Sequence, residues 1–219
     1  MFITLQAHQY ARYPELMDRM FRLRKEVFAD RLGWSVPVID GCERDRYDDF
    51  GPLYLVWCDD EKKRLYGSMR LMPTTGPTLL YDVFRDTFPS DIDLVAPGIW
   101  EGTRMCIDEE AIAIDFPGLT PLDAFYRLLV ALCECALYHG ISMMLSNYEP
   151  PMRRVYRRAG VDVDELGCAD GYGRLPVCCG LFEVSGPVLL KMRHATQITE
   201  PLYTEFPVAG RRLAIRVAA

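Results

Sequence analysis

The sequence predicts an α/β (α+β) fold, a mixed twisted sheet flanked by helices. Two apolar runs, Leu53–Cys58 and residues 65–72, flank the solvated turn at 59–63 and read as a β-hairpin. A nearly continuous apolar segment begins at Thr120-Pro121 and runs to His139 before Gly140, which is the punctuation of a well-buried helix. A further apolar run over residues 141–146 follows at once. Strands therefore both precede and interleave with helices, the pattern of a mixed sheet with helical cover.

Residues 14–31 are expected to be helical, because Leu16, Met20, Leu23 and Val27 recur at three- and four-residue steps and Gly33 ends the run. Residues 35–50 carry Pro37, Gly41 and many charges. They read as a loop or short irregular helix, a reasonable place for function. Within the hairpin, Arg70 falls inside the second strand, where a charge needs a partner, and Pro73 ends that strand. Residues 79–88 read as a short helix. Ile99–Ile107 alternates Trp100, Gly102 and Arg104 against Ile99, Glu101 and Thr103, so Glu101 and Arg104 point to opposite faces unless a bulge or twist re-aims one. Residues 152–159 are expected to form a helix closed by Gly160, and 178–184 and 188–192 a late strand pair. No internal repeat, low-complexity segment or long linker interrupts the chain, so a single domain over 1–219 is expected.

With 219 residues, half of them hydrophobic, the chain suits one domain with a sizeable core. A net charge of −6 gives no support for nucleic-acid binding. No apolar run reaches the roughly 18–20 residues of a membrane span. The first six residues lack a basic region followed by a long apolar one, so no signal peptide is expected and a cytoplasmic location follows. Eight cysteines and three histidines offer no Cys-x-x-Cys pair, so no metal site is expected. Reduced thiols packed as small core residues are the expectation instead. No Gly-x-Ser-x-Gly is present and nothing places a His beside a Cys, which leaves a hydrolase-type nucleophile without support.

The most informative residues mix charges with aromatics: Arg24-x-x-x-Phe28, Gly33-Trp34, the run from Glu43 to Asp49, Gly67 to Leu71, and Trp100-Glu101-Gly102-Thr103-Arg104. A solvated surface has no need of the rings, and a plain core does not tolerate unpaired charges. A cleft whose walls carry paired charges satisfies both. Arg24, Phe28, Trp34, Asp45, Asp48, Arg70, Phe84, Glu101 and Arg104, with the context Arg70-Leu71-Met72-Pro73-Thr74-Thr75, resemble the acyl-homoserine-lactone synthases, the quorum-sensing autoinducer synthases. The resemblance is strong over the first half of the chain and weaker beyond. It departs at Thr103-Arg104-Met105, where the family commonly has Ser-Arg-Phe; Thr keeps the hydroxyl, while Met keeps bulk and loses the ring.

This resemblance implies a fold similar to the GCN5-type N-acyltransferases. It also implies an acyl transfer from acyl carrier protein to the amine of S-adenosylmethionine, followed by lactone closure with release of methylthioadenosine. S-adenosylmethionine is then a substrate, and no cofactor is implied. The residue types fit this chemistry. Glu101 is the candidate base for the amine. Asp45, Asp48 and Trp34 are candidates to hold the sulfonium. Arg24, Arg70 and Arg104 either orient the substrate carboxylate or buttress the acids; Arg70 and Arg104 join Glu101 in the expected catalytic set. Phe28 and Phe84 either line the substrate cavity or pack in the core.

A second site is expected around residues 152–159. Arg153 and Arg157 share one helix face, as do Arg154 and Arg158, which makes a basic patch suited to an acidic carrier protein. The Arg/Gln-x-x-Gly-x-Gly/Ala loop that binds coenzyme A pyrophosphate in GCN5-type enzymes has no match, since Val161-Asp162 follows Gly160. That favours a carrier-protein donor. The acyl chain is expected along Met143, Met144, Leu145, Leu122, Phe125, Leu128 and Leu129, with Ser146 offering a hydroxyl to an oxygen on its third carbon. Two other readings stand beside this one: a GCN5-type acyltransferase acting on a different amine, and a binding module that docks an acidic partner through the arginine helix.

Overall fold

The computed structural model describes residues 1–205; the expected domain extends over 206–219, which lie outside the described residues. In chain order the elements are β1 (Phe2–Leu5), α1 (Pro14–Arg24), β2 (Val38–Ile39), β3 (Cys42–Glu43), β4 (Leu53–Cys58), β5 (Leu65–Pro73), α2 (Leu79–Asp82), β6 (Ile99–Ile107), α3 (Glu109–Asp115), α4 (Pro121–Tyr138), β7 (Met143–Tyr148), α5 (Met152–Arg158), β8 (Asp164–Ala169), β9 (Val177–Glu183) and α6 (Gly186–Thr196). Among the described residues, seven strands form one mixed sheet in the order β1-β4-β5-β6-β7-β9-β8. Only the β6–β7 pair is parallel, and its ladder stops at Glu101–Leu145 although both strands continue. The sheet therefore splits at its middle.

Strand alternation sorts the core. Leu55, Trp57, Met69, Leu71 and Met144 face α4 and α6, whose Leu128, Val130, Leu189 and Met192 meet them. Tyr54, Val56 and Cys58 face the other way, against Leu16, Met20 and Leu23 of α1. Each such side chain contributes roughly 1.5–3 kcal/mol on full burial. α4 begins as the sequence reads, with the Thr120 side chain accepting from the Asp123 N–H and Pro121 in the first turn. Among the described residues no helix is long and apolar enough to cross a membrane.

Four local outcomes depart from the sequence reading. The helix expected over 14–31 is α-helical only to Arg24, then widens into a π-helical stretch, Lys25–Arg31, where the Leu32 N–H reaches back to the Val27 carbonyl at 3.0 Å. Residues 188–192 are helical, not a strand. Ser185 caps α6 by accepting from the Val188 N–H, and Leu189 and Met192 bury one face three residues apart. β9 pairs instead with β7 and with β8, whose exposed Asp164, Glu165 and Cys168 hid it as an edge strand. Finally, Cys168 and Cys178 stand opposite each other in the β8–β9 register and are joined as a disulfide, where free thiols were expected. The other six cysteines are free, and all but Cys42 are buried.

The face of Arg104 is settled by a bulge. Ser68 pairs with Cys106 and Arg70 with Thr103, so two steps along β5 match three along β6. Arg104 takes the left-handed backbone conformation, φ 56°, that absorbs the extra residue. The insertion turns Arg104 onto the face that carries Glu101 and Thr103.

Candidate active site

α1 delivers Arg24, β3 and the turn after it deliver Glu43, Asp45 and Asp48, and β5 and β6 deliver Arg70 and Arg104. Their side chains close a ring of alternating charge. Arg24 donates to Glu43 at 2.5 Å and doubly to Asp48 at 2.8 and 3.0 Å. Arg70 donates to Asp48 at 2.9 Å and to Asp45 at 2.5 and 3.0 Å. Arg104 joins Asp45 and Glu43, both at 3.1 Å. Every charge has two partners of opposite sign, and the six sum to zero. This is how a buried polar network meets its desolvation penalty, with each group satisfied.

The members are not equivalent. Asp48 also accepts from the Tyr54 hydroxyl at 2.6 Å and the Asp45 N–H at 2.9 Å, and its side chain is wholly buried. Burial alone would raise its pKa, but the hydrogen bonds and charge of Arg24 and the charge of Arg70 hold it far below the usual carboxylate range. Arg24 and Arg70 are equally buried, and the Arg70 Nε is used on Thr103 at 3.0 Å. Asp48, Arg24 and Arg70 therefore hold the ring together with no group left facing the cleft. Arg104 has the longest contacts in the ring, lies over the Phe28 ring at 5.3 Å, and lines the cleft.

Glu101 lies on the same face but outside the ring. Its two carboxylate oxygens accept from the backbone N–H groups of Leu79 at 3.0 Å and Leu80 at 2.7 Å, at the start of α2. Burial pushes its pKa up to about 7, against the lowering effect of those two bonds and of Arg70 and Arg104. A carboxyl poised there can exchange a proton near neutral pH. It also anchors the segment that carries Phe84.

The cleft opens where β6 and β7 part. A space of about 220 Å³ is walled by Phe28, Trp34, Phe84, Thr103, Arg104 and Tyr148. Behind it, between the sheet and α4, α5 and α6, lies a narrow apolar cavity of about 70 Å³ lined by Met69, Leu129, Met144, Leu145, Phe182 and Met192. Met105, Ser146 and Tyr156 line both spaces, so the two meet at the split in the sheet. Ser146 bridges that split, its hydroxyl donating to the Gly102 carbonyl at 2.9 Å.

Of the expected acyl-chain residues, Leu145, Ser146, Met144 and Leu129 line the apolar cavity and Phe125 lines the cleft, whereas Met143 lines neither. Met143 shares a strand face with Leu145 but precedes the split. Leu122 is exposed, and Leu128 is core. Arg153, Arg154 and Arg157 of α5 line an open cavity of about 760 Å³ with Pro150 and Asp162; Arg158 is exposed outside it. The sequence reading missed Glu43, Tyr54 and Thr103 as parts of the site. Glu43 carried a signal, standing in the same charged run as Asp45 and Asp48. Among the described residues, Glu165, Cys168 and Cys178 have metal-ligand proximity, but both sulfurs are spent in the disulfide.

Comparison with known proteins shows the family and the fold. The autoinducer synthase family profile matches residues 8–188. An acyl-homoserine-lactone synthase of Rhizobium etli is 44% identical over 144 residues, 65% of this chain and 66% of that one. Another, from Agrobacterium fabrum, is 32% identical over 165 residues, 75% of this chain and 77% of that one. Among solved structures, the AHL synthase LasI superposes with a TM-score of 0.74 at 26% identity, covering 90% of this chain and 94% of that one. The CoA-dependent acyl-homoserine lactone synthase BjaI, solved with SAM and isopentyl-CoA, shares the fold with a TM-score of 0.79 at 23% identity, covering 95% and 94%. A putative N-acetyltransferase from Lactobacillus plantarum shares it more distantly, with a TM-score of 0.52 at 20% identity, covering 84% and 99%. With a profile that spans most of the chain and curated relatives above 30% identity, this protein belongs to the autoinducer synthase family, the acyl-homoserine-lactone synthases, and is an acyltransferase.

Proposed function

We propose that this protein makes an acyl-homoserine lactone from S-adenosylmethionine and an acyl thioester carried on acyl carrier protein. The observation that carries the reading is the meeting of a charged, aromatic-walled cleft with an apolar cavity through Met105, Ser146 and Tyr156. An amine substrate and an acyl chain can thus meet at one point. The amine attacks the thioester carbonyl, the new C–N bond replacing the C–S bond to the carrier, and its proton passes to Glu101. The methionine carboxylate then attacks the carbon bonded to the sulfonium, breaking the C–S bond and releasing methylthioadenosine. Arg104 is the arginine to orient that carboxylate, since Arg24 and Arg70 are consumed within the ring. Asp45 and Trp34 hold the sulfonium, while Asp48 serves by fixing Arg24 and Arg70. Phe28 and Phe84 wall the substrate, and backbone N–H groups along the diverging edges of β6 and β7 receive the developing oxyanion.

On the donor side, Arg153, Arg154, Arg157 and Arg158 steer an acidic carrier. The cavity lined by three of these arginines favours coenzyme A as the second reading, since it suits phosphates equally. For the acyl chain, a Ser146 hydroxyl that donates to Gly102 keeps its lone pairs for a 3-hydroxyl group, so 3-hydroxyacyl donors fit it best. Mass spectrometry of organic extracts from cells expressing the chain tests the whole. A homoserine-lactone fragment with a defined acyl mass is expected; its absence, from cells that contain the folded protein, refutes the assignment. Turnover of the same acyl group on purified carrier and on coenzyme A then separates the donors.

A further inference from the structure

One edge of the cleft is bordered by a segment the reaction does not use. β8 and β9 are joined by the loop 170–176, and the loop crosses back over the aromatic walls. The Tyr172 ring lies 4.8 Å from that of Phe84. Its hydroxyl stands 2.8 Å from the Val83 carbonyl and also meets the Asp86 carboxylate. The next residue, Gly173, runs beside Trp34, whose indole nitrogen lies 4.0 Å from where a Cβ would stand. The loop thus spans the opening between Phe84 and Trp34. Its base is tied twice. Cys168 and Cys178 are bonded across the two strands, and β8 is pressed on the 85–87 turn so closely that a Cβ at Gly167 would lie 2.7 Å from the Thr87 carbonyl.

We propose that the loop 170–176 is a lid over the acceptor cleft, latched by Tyr172 and tied at its base by the Cys168–Cys178 bond. What it covers is the aromatic, nucleoside-bearing end of the acceptor. The proposal rests on the S-adenosylmethionine reading and adds to it a positioning residue, Tyr172, that acts by fixing Phe84. An aromatic contact and one hydrogen bond set the latch's strength, so its loss weakens nucleoside binding about tenfold. The tie is sensitive to thiols. A dithiol reductant gives two electrons and two protons to the bond, leaving two cysteine thiols and its own disulfide. The lid is then held by the latch, the packing of Gly167 on Thr87 and the β8–β9 pairing, without the covalent tie.

The test is calorimetric titration of the purified full chain with methylthioadenosine, alongside steady-state kinetics. Tyr172→Ala is expected to weaken methylthioadenosine and raise KM for S-adenosylmethionine about tenfold, and Tyr172→Phe, which keeps the ring, about threefold or less. KM for the acyl donor stays unchanged in both. A dithiol is expected to weaken the wild type about threefold, while Cys168→Ser behaves as the reduced protein and does not respond. If Tyr172→Ala binds like the wild type, or if donor KM rises by the same factor, the lid is overturned. Wild-type binding indifferent to the dithiol overturns the tie. A wild type that binds no methylthioadenosine overturns the substrate assignment, and the lid with it.

Discussion

Glu101→Gln separates the proton-exchanging role proposed for this carboxyl from its anchoring of α2. The folded protein holds the Glu101 proton up to about pH 7, against an ordinary value of 4.5. Each unit is worth about 1.36 kcal/mol, so the whole difference is on the order of 3 kcal/mol. The sign follows from which state binds the proton more tightly. Here it is the folded state, so the contribution is complete below pH 4.5 and is lost as pH rises through 7. Linkage places most of that loss, roughly 2–3 kcal/mol, between pH 5 and 8. Gln does not titrate. It also still accepts one of the two backbone N–H bonds, and the missing bond is a pH-independent deficit of about 0.5–1.5 kcal/mol. Urea unfolding of both proteins from pH 5 to 8 should therefore show the wild type falling relative to the variant by roughly 2–3 kcal/mol. Parallel stability curves would refute the raised proton affinity. In kinetics, wild-type kcat/KM should rise through about pH 7, whereas the variant should lose that limb and roughly 100-fold in rate. The ionisation of the substrate amine, near 8 for a free α-amine, remains in both. A folded variant with full turnover would mean that another group is the base.

Asp48→Asn should lower stability by about 3–5 kcal/mol, because it leaves two buried arginines short of a partner; calorimetry should find Tm lower by roughly 6–20 °C, and a shift under 3 °C would contradict the ring. The wild-type contribution of Asp48 should fade only in strong acid, as pH falls through its lowered pKa. Arg104→Lys should raise KM for S-adenosylmethionine about tenfold, because an ammonium lacks the fork that matches a carboxylate; an unchanged KM points to another arginine. Ser146→Ala should cut use of 3-hydroxyacyl relative to unsubstituted donors by roughly threefold to tenfold, the worth of one hydrogen bond; an unaltered ratio rules the contact out. Charge reversal at Arg154 and Arg157 should raise KM for acyl carrier protein, weaken the response to salt and spare a small thioester donor. Equal damage to the small donor would place these arginines in the fold or the cleft.

The parts of this structure legible in sequence are those written by local chemistry. The hairpin at Leu53–Cys58, the capped α4 and the basic α5 all announce themselves through periodicity and end signals. The charges of the site were legible as a group because arginines and acids beside Trp and Phe fit neither surface nor core. Their division of labour was not, because it depends on which side chains are buried in three dimensions. Arg24 and Arg104 look alike in sequence, and only packing sends one inward and leaves the other at the cleft. The bulge at Arg104 left only a doubt about strand facing, since a left-handed arginine has no residue-type marker. β8 was missed because an edge strand needs little apolar surface, and α6 was misread because a short apolar run suits either structure.

The ring of six charges spans separate stretches of chain, with pairs 19 to 61 residues apart. It fastens the first fifty residues to the sheet. Being closed, it does not come apart when one corner is pulled. Releasing Arg104 breaks only its two 3.1 Å contacts and leaves Glu43–Arg24–Asp48–Arg70–Asp45 as an unbroken chain. Arg104 is thus the corner whose contacts are longest and whose release costs the ring least. If Arg104 orients the substrate carboxylate as proposed, that carboxylate takes a place on the guanidinium while the other five charges keep α1 on the strands. On the proposed reading, recognition is an exchange of partners at one vertex, with the rest of the polygon as its fixed frame.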